Sequence, residues 1–164
     1  MTEFQLIELA TSVVDSLKKQ NKTLGLAESC TGGWLSKIIT DVSGASSVYL
    51  GGICSYSNAV KMKLLGVKEE TLSTFGAVSE QTAREMALGA KNALGSDVGV
   101  GITGIAGPLS DNTKKPVGLI YVAIAYENTI TVKELNNRFT ENIRTNNRLS
   151  AIETALHLLG GINE

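Results

Sequence analysis

The 164-residue chain carries 15 basic and 16 acidic residues, a net charge of −1, and is 43% hydrophobic and 19% charged. Those values fit one globular domain with a real core. They exclude a nucleic-acid binder of the usual kind, which would show a basic face or run. The longest apolar stretch, Val117 to Tyr126, falls far short of the roughly 20 residues a membrane-spanning helix needs. The Met-Thr-Glu-Phe start lacks the basic region of a signal peptide. Two cysteines, Cys30 and Cys54, make neither a disulfide framework nor a metal-type pair. The expectation is a single domain over residues 1–164 in a reducing cytoplasm, with no membrane and no nucleic acid as partner.

In chain order, Phe4 to Gln20 has the period of an amphipathic helix, with Ile7, Ala10, Val14 and Leu17 on one stripe. Thr23 to Glu28 is a short strand, and a helix from Gly32 to Thr40 follows it directly. Val48 to Tyr56 is strand-like and leads into a short helix carrying Ala59 to Leu65. Glu80 to Leu94 is a clear helix, with Ser79 as N-cap and Gly95 as its stop. Val98 to Thr103 is a buried strand that runs into a glycine-punctuated loop ending near Pro116. Val117 to Tyr126 is apolar enough for an interior strand, and Ile130 to Leu135 returns antiparallel to it. A last helix runs from about Arg144 to Leu159. Strands alternating with helices predict an α/β fold: a single three-layer α/β/α domain with a mixed, mostly parallel sheet. Ligands of such sheets bind beyond the carboxyl ends of the strands.

Three clusters at strand ends could carry chemistry. In Ala27-Glu28-Ser29-Cys30-Thr31-Gly32-Gly33, a hydroxyl sits at a strand-to-helix turn. There the N–H groups of the next helix could face an anion or a developing oxyanion. Ser29 reads equally as a nucleophile or as a plain N-cap. The single histidine, His157, lies in the last helix and reads as a surface residue, so a Ser-His-Asp triad is not expected. A catalytic metal lacks ligands. Any base must then be a lysine or a carboxylate. In the second cluster, Gly51 to Lys61, Tyr56 and Asn58 flank a turn and Lys61 stands on the first turn of the short helix. A lysine acts as a base only where burial or positive charge lowers its pKa. The third, Thr103-Gly104-Ile105-Ala106-Gly107-Pro108, is a tight loop or a phosphate cradle without the Gly-Lys-Ser/Thr of a P-loop. Arg138, Arg144 and Arg148 fall close together near the last helix, and an arginine there could hold a phosphate.

Taken with Leu65-Gly66-Val67, Gly76 to Glu80 and Lys115-Pro116-Val117-Gly118, these clusters resemble the C-terminal domain of the competence-induced protein CinA. That domain also occurs as a free-standing nicotinamide-nucleotide amidase. The resemblance runs from about Leu6 to Leu159. It implies hydrolysis of nicotinamide mononucleotide to nicotinate mononucleotide and ammonia, with no metal and no cofactor, by a homo-oligomer. It implies Ser29 as nucleophile and Lys61 as base, with Tyr56 and Thr103 assisting. Substrate would be held by Cys30, Thr31, Gly32, Gly33, Asn58, Gly104, Gly107 and Arg144, with Arg148 as the other candidate arginine. The chain departs from the family in two places. Leu109-Ser110-Asp111-Asn112 stands where glycines are usual, and Glu141-Asn142-Ile143-Arg144 where Gly-Asp-Arg is usual. Both bear on substrate preference more than on reaction class. The family's larger N-terminal domain is not in this sequence, so activity tied to it is not expected. The rival readings are a non-catalytic nucleotide-binding module of the same fold, and an enzyme with Cys30 as nucleophile.

Overall fold

The computed structural model describes residues 1–162. Helix α1 (Glu3–Lys19) begins at a capping box in which Thr2 and Gln5 satisfy each other's backbone N–H groups. Leu6, Ala10, Val13, Val14 and Leu17 form its buried stripe. The five residues of β1 (Leu24–Glu28) are buried throughout, as an interior parallel strand requires. α2 (Trp34–Thr40) turns the chain into β2 (Tyr49–Cys54) through a short 3₁₀ turn at Ala45–Ser47. Then come α3 (Asn58–Leu65), α4 (Glu69–Phe75) and α5 (Glu80–Leu94). The expected Ser79 cap and Gly95 stop of α5 are both present. Strands β3 (Val98–Gly104), β4 (Leu119–Tyr126) and β5 (Thr129–Asn136) precede α6 (Ile143–Gly160).

The five strands form one sheet in the order β2-β1-β3-β4-β5. Pairings β1–β2 and β1–β3 are parallel, whereas β3–β4 and β4–β5 are antiparallel. The sheet is mixed as expected: β2, β1, β3 and β5 run in one direction and β4 alone runs against them. The reason is connectivity. A parallel return needs a crossover, usually a helix. The segment from β3 to β4 holds no helix, and only Glu127 and Asn128 separate β4 from β5.

Helices cover both faces. On one, α1, α2 and α6 enclose the main apolar core with Leu26, Val100, Ile102 and Val122 of the sheet. On the other, α5 lies close on the strands through Ala83, Ala87 and Ala90. That approach explains the glycines inside β3: a Cβ on Gly99 would overlap the Ala87 carbonyl oxygen, and one on Gly101 the Ala83 carbonyl oxygen. These glycines serve packing, and so does Gly52, where a Cβ would meet the Ser36 and Tyr49 hydroxyls; Gly51 and Gly52 both lie within β2 and not at its end. The chain leaves β1 toward β2 and leaves β3 toward β4, so the connections part between β1 and β3. Such a parting opens a crevice at the carboxyl ends of the strands. Among the described residues, no helix is long and apolar enough to cross a membrane.

Candidate active site

Register builds the site. Glu28 of β1 stands opposite Cys54 of β2 and Ile102 of β3, so the residues that follow, Ser29, Ser55 and Thr103, emerge side by side. Backbone bonds from Ser29 N–H to the Ile102 carbonyl (3.1 Å) and from Ser55 N–H to the Glu28 carbonyl (2.8 Å) fix that edge. Above it lies a cleft of about 290 Å³ lined by Ser29, Tyr56, Lys61, Thr103, Gly107 and Arg144, among others. A larger hollow, about 440 Å³, lies between the β4–β5 hairpin and the end of α6. Its wall includes the exposed His157, whose nearest acid is Glu153 at 3.7 Å, and it holds no nucleophile–base pair.

Lys61 arrives from α3, whose first turn is capped by the Ser57 hydroxyl accepting from Val60 N–H. Its side chain is 1% exposed. The amine donates to Ser29 Oγ (3.1 Å), to the Ser55 carbonyl (2.7 Å) and to the Tyr56 carbonyl (3.1 Å). Burial disfavours the ammonium form and lowers the Lys61 pKa to about 8. Once neutral, the amine keeps two N–H bonds to the carbonyls and turns its lone pair to the Ser29 hydroxyl, which then donates. That is the geometry of a nucleophile beside its base. Cys30, by contrast, is buried, and burial pushes its thiol up to about 11, so it stays protonated.

The other expected residues divide into two groups. Thr103, Gly104, Gly107, Tyr56 and Arg144 line the cleft with the pair. Thr103 donates its hydroxyl to the Ala77 carbonyl (2.7 Å), which ties the Ala77-Val78 turn to the cleft wall. Tyr56 is 66% exposed, and its carbonyl accepts from the Lys61 amine. Arg144 donates to the Gly107 carbonyl (2.9 Å) and lies 3.4 Å from the Tyr56 hydroxyl. Cys30, Thr31, Gly32, Gly33, Asn58 and Arg148 stand outside the cleft lining. Thr31 is fully buried and Asn58 is exposed on α3. Arg148 holds the Cys30 (3.1 Å) and Thr31 (2.8 Å) carbonyls, with its guanidinium 4.9 Å above the Trp34 ring. Of the two arginines, Arg144 faces the cleft and Arg148 braces the Ser29 turn from behind.

Glu28 was not expected at the site. It is 1% exposed, and its carboxylate accepts from Leu35 N–H (2.9 Å), Ser36 N–H (3.0 Å) and the Ser36 hydroxyl (2.8 Å). The start of α2 is thus already occupied by an internal carboxylate and does not offer those N–H groups to an anion. The only sequence signal for this was an acid at the end of a buried strand. Among the described residues, no three of His, Cys, Asp and Glu gather as a metal centre would require.

An α/β/α domain with a buried serine–lysine pair at its strand ends is the class that fold and cleft define. A family model described as the CinA C-terminal domain matches residues 6–162. The CinA-like protein of Picosynechococcus sp. is 59% identical over 111 residues, 68% of this chain and 26% of that protein. The CinA-like protein of Thermotoga neapolitana is 45% identical over 141 residues, 86% of this chain and 35% of that protein. The chain therefore spans about a quarter to a third of these curated relatives. Among solved structures, the competence/damage inducible protein CihA from Agrobacterium tumefaciens matches with a TM-score of 0.91 at 38% identity, over 100% of this chain and 98% of that one. A CinA superfamily protein from Klebsiella pneumoniae matches with a TM-score of 0.88 at 31% identity, over 94% and 95% of the two chains. The chain belongs to the CinA C-terminal domain family.

Proposed function

We propose that this domain is a cytoplasmic amidohydrolase that converts nicotinamide mononucleotide and water to nicotinate mononucleotide and ammonia. The observation that carries this reading is the 3.1 Å contact between Ser29 Oγ and the buried Lys61 amine on the floor of the cleft. Neutral Lys61 takes the Ser29 proton as Oγ attacks the carboxamide carbon. It returns that proton to the departing nitrogen, so ammonia leaves and the acyl group remains on Ser29. Water then attacks the ester, its proton passes to Lys61 and on to Ser29 Oγ, and the carboxylate product is released. Arg144 at the cleft wall is the cation suited to the 5′-phosphate.

Ammonia release from nicotinamide mononucleotide tests this. The wild type should turn over, and Ser29→Ala should lose turnover by orders of magnitude while keeping its fold. A protein that binds the nucleotide but releases no ammonia would be a binding module. Loss of activity in Cys30→Ala with retention in Ser29→Ala would transfer the nucleophile to Cys30.

A further inference from the structure

The first turns of α6 fasten the third loop. Asn147, 1% exposed, donates from Nδ2 to the Ala106 carbonyl (2.9 Å), and Arg144, one turn earlier, donates to the Gly107 carbonyl. Two successive carbonyls thus face α6, an arrangement consistent with the positive φ of Gly107 (76°). In a planar trans peptide the N–H points opposite to the C=O. The Ala106 carbonyl is turned toward Asn147, so the Gly107 N–H on the same plane is turned away from it. The α-carbon of Gly107 is packed, since a Cβ there would run into Val117 and Ile143. Gly107 is buried, lines the cleft with Ser29, and its N–H donates to no group among the described residues. A buried N–H without a partner is rare, and one bordering a cleft is available to a ligand.

We infer that Asn147 is a positioning residue: through the Ala106 carbonyl it aims the Gly107 N–H at the oxygen that becomes negative when Ser29 attacks. This rests on the hydrolytic reading above. It assigns Asn147 no contact with substrate. Its Oδ1 is buried and unpaired among the described residues, so Ala106 is the one group its amide serves.

Asn147→Leu keeps the volume and removes the donor. With nicotinamide mononucleotide, kcat should fall about 10- to 100-fold with KM within about threefold, because the lost contact matters in the transition state. The pH at which the rate turns over should stay where it is in the wild type, because Lys61 is untouched. A fluorophosphonate gives a readout independent of the natural substrate. Ser29 Oγ displaces fluoride at phosphorus, its proton going to Lys61, and labelling by intact mass should slow in parallel with kcat. A folded Asn147→Leu protein with kcat and labelling within about twofold of wild type would overturn the inference. If that variant does not fold, Asn147→Ala is read by the same criteria. A wild type that is labelled at Ser29 but inert toward nicotinamide mononucleotide would overturn the substrate assignment alone, and the labelling comparison would still decide the role of Asn147. A wild type inert to both would overturn both.

Discussion

At the scale of single residues, Lys61 carries the sharpest expectations. Its rate limb should rise with pH and level off above about 8, where the amine is neutral. Lys61→Arg keeps a charge that cannot be shed, so it should be as inactive as Lys61→Ala, whereas exposed Lys63→Ala should be near wild type. Substantial activity in Lys61→Arg would make the residue an anchor and not a base. Ser29 and Thr103 were legible in the sequence because each stands where a strand ends, and Lys61 because it stands on the short helix that follows one. The sequence did not reveal that Tyr56 is largely exposed at the cleft with its hydroxyl by Arg144, since a turn's sequence does not say which way a side chain leaves it. Nor did it reveal Glu28 as an internal cap, because the Glu28-to-Ser36 contact depends on how α2 folds back over β1.

Among the elements, α2 depends on that cap. It has seven residues and no capping side chain at Gly33, so Glu28 supplies the acceptors its first turn lacks. Glu28→Gln brings an amide N–H₂ against a backbone donor, and should lower stability by about 2 kcal/mol in a denaturant titration. An unchanged midpoint would mean that solvent replaces the carboxylate freely. Periodicity located α1, α5 and α6 to within a residue or two, because each buries a stripe against the sheet. It gave no sign of α4, which buries only Thr71 and therefore shows no apolar stripe. The sequence favoured Arg144 over Arg148 but did not settle which of the two contacts substrate. Four residues apart on one helix, they share a face, and only the packed loops decide which of them meets the cleft.

For the molecule as a whole, the buried amine costs stability. A folded pKa near 8 against an ordinary value of 10.5 disfavours the charged form by roughly 3 kcal/mol. The folded state binds fewer protons than the unfolded chain between those values. The penalty is therefore complete below about pH 8 and is relieved as pH rises toward 10.5. Cys30 acts in the opposite sense, losing stability as pH rises from 9 toward 11, because its folded thiol holds the proton longer. Comparison with Lys61→Met cancels the Cys30 contribution. That variant should melt higher than wild type at pH 7, and the gap should narrow by pH 10. A constant gap would mean that the lysine's charge is not what costs the fold. The mixed sheet has a separate cause: composition and alternation specify α/β layers, while strand direction follows from whether a helix stands between two strands.

The contacts that build and brace the cleft join positions far apart along the chain. Ser29 meets Lys61 across 32 positions, Asn147 meets Ala106 across 41, and Arg148 meets the Cys30 carbonyl across 118. The helices, whose bonds are local, can form before those distant partners are brought together, and loops of such length close slowly. On the hydrolytic reading, catalytic competence is therefore a late event in folding. On dilution from denaturant, recovery of ammonia release should lag behind recovery of the far-ultraviolet helical signal. In Arg148→Ala the lag should lengthen, because the span that ties the last helix to the first catalytic turn has been cut.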